Sequence, residues 1–119
     1  MKFFEFSQNN SGGSFEVNDK LCYRLFIEAD SRKDAIYMAE EMGVYFNGVD
    51  DGIDCPCCGN RWYTPDDIKF PLKYSEKKEF HNIEEYAQHL ADHYGWTSPD
   101  ARIFYKDGTV KEIFINKKK

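Results

Sequence analysis

No apolar run in this chain approaches the roughly 20 residues that a membrane-spanning helix requires. The start, Met1-Lys2-Phe3-Phe4-Glu5-Phe6, has too short an apolar stretch for a signal peptide and holds a carboxylate inside it, so the expected compartment is the cytosol. Positive charge is also short: the formal net charge of −5 argues against binding nucleic-acid polymers or anionic membranes, both of which need a basic field. Nucleophile elbows, catalytic-metal motifs and paired acid–base constellations are missing too. The three histidines, His81, His89 and His93, have Glu85 and Asp92 as their nearest candidate partners, and these read as helix-surface charges. No catalytic residue is assigned, and the expectation is a non-enzymatic protein.

What is present is aromatic. Ten Phe, eight Tyr and two Trp bring the aromatic fraction to 17%, too high for a disordered chain, and 119 residues suffice for one domain, 1–119, with a real core. The negative charge is concentrated in the first half, so any basic ligand-binding patch belongs to the second.

Period-two alternation predicts strands over 2–8 and 21–29. Ser31 with Asp34 forms a capping-box-like start for a helix whose buried stripe is Ala35, Met38, Ala39 and Met42, and Gly43 ends it. Val44-Tyr45-Phe46 reads as a short strand. Thr64-Pro65-Asp66-Asp67 has the cap-then-proline order of a helix start that Phe70-Pro71 cuts short. Asn82 with Glu85 opens a second helix, with Ile83, Tyr86, Ala87, Leu90 and Tyr94 buried and Gly95 as its stop. A closing hairpin over 102–115 turns at Lys106-Asp107-Gly108-Thr109. The expected fold is α+β: an antiparallel sheet with two helices on one face and a central cysteine-rich turn.

Two stretches carry candidate chemistry. Gln8-Asn9-Asn10-Ser11-Gly12-Gly13-Ser14 is an unbroken polar and glycine segment that offers donors and acceptors at close backbone range, suited to a phosphate or ribose. It lacks the lysine of a phosphate-binding loop, and a mobile hairpin connection is the plainer reading. Asp54-Cys55-Pro56-Cys57-Cys58-Gly59-Asn60-Arg61-Trp62 packs three of the four cysteines into four positions. Its Cys-Pro-x-Cys-Gly pattern resembles the knuckle of zinc ribbons and rubredoxins, in which proline and glycine turn two thiolates toward one tetrahedral metal. Cys55 and Cys58 are half of a structural zinc site. His89 and His93, one helical turn apart, are the best second half, with Cys22, Cys57 and His81 in reserve. Packed thiols in a tight turn are the competing reading.

Phe3-Phe4-Glu5-Phe6-Ser7-Gln8-Asn9-Asn10-Ser11-Gly12-Gly13-Ser14-Phe15, the cysteine stretch, and Tyr94-Gly95-Trp96-Thr97-Ser98-Pro99-Asp100 together resemble a group of small uncharacterised proteins encoded by tailed bacteriophages. That resemblance implies a phage gene product acting in the cytoplasm of a bacterial host, where small acidic phage proteins often blunt a host defence. The leading expectation is a binding protein that sequesters a nucleotide-like signal, using Gln8, Asn9, Asn10, Ser11, Arg61, Trp62, Trp96 and Arg102, since aromatic faces suit a base and arginines a phosphate. The alternative is a protein–protein inhibitor or adaptor of a host defence protein, with the acidic first half as its face. A homodimer paired through an edge strand is compatible with either.

Overall fold

Strand β2 (Arg24–Ala29) explains the architecture, because five of its six residues are buried. A strand buried on both faces must be covered on both. The computed structural model describes residues 2–9, 15–54, 56 and 59–116. Along the chain the elements are β1 (Lys2–Ser7), β2, α1 (Arg32–Met42), β3 (Asp66–Ile68), β4 (Leu72–Ser75), β5 (Lys78–Phe80), α2 (Ile83–Tyr94), β6 (Ala101–Phe104) and β7 (Val110–Ile113).

Five strands form one sheet in the order β3-β1-β2-β6-β7, and β4 and β5 make a separate two-stranded hairpin. The α+β expectation holds, with two refinements. The sheet is mixed, because β6 lies parallel to β2, pairing Phe26 with Ile103 and Leu25 with Arg102; the other pairings are antiparallel. The helices occupy opposite faces rather than one. Phe4, Phe6, Leu25 and Ile27 share a core with Ala35 and Ala39 of α1. Phe26, Ile68, Ala101 and Ile103 share the other with Ile83, Ala87, Leu90 and Ala91 of α2. The cause is Phe26, which points away from α1 and needs a second covering layer.

Both helices start where the capping chemistry places them. Ser31 Oγ accepts from the amide of Asp34 at 3.2 Å, and Asn82 Oδ1 accepts from the amide of Glu85 at 3.0 Å. Gly43 closes α1 at φ 114°, a left-handed cap whose amide returns to Ala39 and Glu40. Two local expectations are overturned. Residues 44–46 form no strand; Val44 instead donates to the Ala39 carbonyl and completes the helix cap. Asp66–Ile68 is a strand rather than a helix start, captured by the free edge of β1, where Phe3 pairs with Ile68 and Glu5 with Asp66. The cysteines Cys55, Cys57 and Cys58, and the segment Asn10–Ser14, lie outside the described residues.

Candidate functional site

Parallel pairing of β2 with β6 gathers several connections at one end of the sheet. The last residue of β1, the first of β2 and β6 and the last of β7 all lie there, and the described chain crosses this end at 8–9, 15–23, 59–65 and 95–100. The exposed indole of Trp96, 66% accessible, belongs to this end. It packs at 5.9 Å against Phe15, the rings tilted by 40°, and Phe15 meets Tyr23 edge-on at 5.0 Å. Three aromatic rings from two connections, 15–23 and 95–100, thus share one surface.

The turn that carries Trp96 is rigid for reasons that can be traced to Asp100. This carboxylate is fully buried. Its Oδ1 accepts from the amides of Trp96 at 2.8 Å and Thr97 at 3.3 Å, while Oδ2 pairs with Arg24 at 2.8 Å. Thr97 Oγ1 donates to the Pro99 carbonyl and accepts from the Tyr23 amide, tying the turn to the start of β2. Gly95 is required by space, since a Cβ there would lie 2.3 Å from the Ala91 carbonyl oxygen and 2.6 Å from Ile115. Arg24, itself buried, also lies over the Tyr23 ring at 4.5 Å and approaches Glu5 at 3.8 Å. Burial raises the Glu5 carboxyl above its ordinary range, Arg24 offsets part of that, and Asp66 adds to it. Tyr86, whose hydroxyl meets Glu5, is pushed up to about 12, first by burial and then by the Glu5 charge.

The residues flanking the cysteine turn form a second polar frame. Asp54 Oδ2 accepts from the Arg61 amide at 2.7 Å, and Oδ1 accepts from the Tyr45 hydroxyl at 3.0 Å. Asn60 Oδ1 accepts from the Val49 amide, and Arg61 Nε donates to the Tyr45 hydroxyl. A Cβ at Gly48 would fall 1.8 Å from Asp54 Oδ2, so only glycine lets the 48–54 turn close on that carboxylate. The frame joins the sheet through Gln8, which is 2% exposed. Its Nε2 donates to the Glu16 and Cys22 carbonyls, and its Oε1 accepts from the Glu16 amide and from Arg61.

The side chains expected to face a ligand are therefore divided. Trp96 is exposed. Asn9 donates to the Asn60 carbonyl at the foot of the cysteine turn. The expected exposure of Trp62 and Arg102 is corrected: Trp62 is 2% accessible in the α1-side core, and Arg102 is 5% accessible. Arg102 is drawn inward by the carbonyls of Asn18 and Leu21 and by Glu112 at 2.9 Å, so it fastens the 18–21 segment to β6. Arg61 is held by Gln8, Tyr45 and Asp54. Asn10 and Ser11 lie outside the described residues. Sequence reasoning missed Asp100, Asp54 and Tyr45. The available signal for Asp100 was the cluster of turn formers before it, which leaves amides that a buried carboxylate can collect.

His89 and His93 do come together, with ring centroids 4.5 Å apart on α2. Tyr74 and Phe80 of the β4-β5 hairpin pack against His89 at 5.0 and 5.1 Å. The pair opens into a cavity of about 340 Å³ whose walls also include Lys78, Glu79, Glu85 and Asp92. Burial lowers the His89 pKa, helped by His93 and Lys78. His81 is exposed beside Glu79 at 3.5 Å. Among the described residues no group of three or more His, Cys, Asp or Glu side chains converges on a single ion position. Cys55 and Cys58 lie outside the described residues; Asp54 and Asn60, which flank them, are tied to the connection that follows α1, while His89 and His93 ride on the helix of the opposite face. Cys22 is buried, and burial pushes its thiol up to about 12.

No helix of the described residues is long and apolar enough to cross a membrane. Neither curated proteins nor solved structures include a match to the chain. A family model described as a domain of unknown function, DUF7296, matches residues 1–119, and the chain belongs to that family.

Proposed function

We propose that this protein is a non-enzymatic binding protein whose binding end is centred on Trp96, and that it sequesters a flat, nucleotide-like molecule. The observation that carries the reading is that an indole two-thirds exposed is nevertheless held on a turn fixed by a buried carboxylate. A rigid exposed aromatic loses little entropy when a planar group stacks on it. Phe15 extends the stacking surface, and it directly follows the polar Asn10–Ser14 segment, whose amides and hydroxyls suit a ribose or phosphate. In the setting of a tailed-phage protein in a bacterial host, removing such a molecule would silence a defence signal. A structural zinc on Cys55 and Cys58 would stiffen the neighbouring frame.

The test uses the fluorescence of the protein itself. Trp62 is buried and Trp96 exposed, so stacking at the binding end changes the Trp96 emission. Purified chain is titrated with cyclic and linear adenine and guanine nucleotides, and the protein taken directly from bacterial cells is weighed under native and denaturing conditions. Saturable quenching, lost in Trp96→Ala with the fold intact, supports the reading. An unquenched protein with no retained organic mass removes it and leaves the alternative, a protein–protein inhibitor or adaptor of a host defence protein with the acidic first half as its face.

A further inference from the structure

The histidine pair on α2 has a use that does not depend on the Trp96 end or on the cysteine turn. We propose that His89 and His93 form a transition-metal site by themselves, a two-imidazole chelate for a borderline divalent ion such as Cu²⁺, Ni²⁺ or Zn²⁺, with the remaining positions open to exchangeable ligands.

The argument begins with spacing. Side chains at i and i+4 project from the same face of a helix one above the other, and here the two rings are neighbours at 4.5 Å. Rings that close and inclined by 44° can turn a nitrogen each toward one ion with little rearrangement. One of them is already ordered, because Tyr74 and Phe80 pack edge-on or tilted against His89 and limit its rotation. Preorganisation of a ligand cuts the entropy lost on binding.

The surroundings favour a cation. The cavity wall carries three carboxylates, Glu79, Glu85 and Asp92, against one ammonium, Lys78. That ammonium lies over the Phe80 ring at 5.1 Å, where the aromatic face attracts it. Glu85 Oε1 accepts from the His81 amide and Asp92 Oδ1 from Gln88 and Asn116, so both carboxylates are held in place and add negative field beside the imidazole donors. Imidazole suits zinc, copper and nickel, and a mouth of this volume leaves room for water on the ion. Two ligands hold an ion in an exchangeable way, which fits uptake or sensing of metal better than a folding role.

The probe is the metal alone. Full-length protein stripped with chelator is titrated calorimetrically with Zn²⁺, Ni²⁺ and Cu²⁺. One ion per chain is expected, with copper the tightest of the three. His93→Gln, at an exposed position that leaves the packing around His89 in place, is expected to weaken binding by about tenfold or more, since it converts a chelate to a single ligand. His89→Gln is expected to do the same. Cys55→Ser/Cys57→Ser/Cys58→Ser is expected to keep the histidine-dependent binding. Loss of that binding in the cysteine variant would overturn the proposal in favour of one joint site. Unchanged affinity in His93→Gln, or no uptake by the unaltered protein, would overturn it outright.

Discussion

The replacement Asp100→Ala examines the frame beneath Trp96 most sharply. Asp100 and Arg24 meet at 2.8 Å with side chains 0% and 6% exposed, so neither charge can be rescued by water where it stands. Removing one partner of a buried pair leaves an uncompensated charge and typically costs about 3–5 kcal/mol. Glu5, 3.8 Å from the same guanidinium, returns part of that, as does the Tyr94 carbonyl at 3.4 Å. The amides of Trp96 and Thr97 lose their acceptor but lie near the surface, where water replaces it at little net cost. The expected loss is therefore near the lower end, about 3 kcal/mol, which is a large share of a typical domain's stability.

Urea denaturation followed by far-UV circular dichroism reads this directly, with the midpoint falling while the slope stays as in the unaltered protein. Arg24→Met in the Asp100→Ala background is the decisive control. If the cost lies in the stranded guanidinium, removing it restores part of the loss and the two substitutions are strongly non-additive. Asp100→Asn separates the two duties, because the amide oxygen can still collect the Trp96 amide while the charge is gone. A loss below about 1 kcal/mol for Asp100→Ala, or a double variant weaker than the sum of the singles, would refute the assignment of a buried ion pair as the frame's anchor.

Glu5 gives a pH-dependent expectation. Its folded pKa is raised, so its contribution is fully present below the unfolded value of 4.5 and is lost as pH rises through the folded pKa. Glu5→Gln is accordingly expected to be the more stable protein at pH 7, with the advantage closing as the pH falls through the folded pKa and gone below 4.5; a variant less stable at pH 7 would contradict it. Cys22, buried and pushed up to about 12, is expected to remain a thiol. A variant whose only cysteine is Cys22 should therefore resist alkylation in native buffer at pH 8 and react fully in denaturant, and fast native labelling would show that its cover opens.

Local chemistry carried much of the fold into the sequence. Ser31 with Asp34 and Asn82 with Glu85 are decided within a few residues of each helix start, as are Gly43 at the end of α1 and Asp107-Gly108 in the last hairpin. What stayed hidden depends on contacts distant in sequence. The parallel pairing of β2 with β6 joins residues more than seventy positions apart and reverses no local signal. Once it forms, Phe26 and Ile103 share a face and α2 must cover them. The strand at Asp66–Ile68 was concealed for a similar reason, because its pairing with β1 overrides a cap-like sequence. The residues expected to face a ligand divided along the same line. Trp96 could be read as exposed from its turn, but the inward course of Arg102 follows from carbonyls at 18 and 21 that only the folded chain presents.

Gln8 shows how the two polar frames at this end become one structure. A side-chain amide offers two donors and two acceptor lone pairs, and Gln8 spends all four, on the Glu16 backbone twice, on the Cys22 carbonyl and on Arg61. It thereby fixes the residues on both sides of the Asn10–Ser14 segment to the start of β2 and to the base of the cysteine turn at once. Arg61 transmits that constraint to Tyr45 and Asp54, while Arg24, two residues after Cys22, transmits it to Asp100 and the Trp96 turn. A buried amide with no spare hydrogen-bonding capacity is poorly suited to contact a ligand itself. It is well suited to hold the described residues on either side of that segment, Asn9 and Glu16, in register with Arg61 and the start of β2.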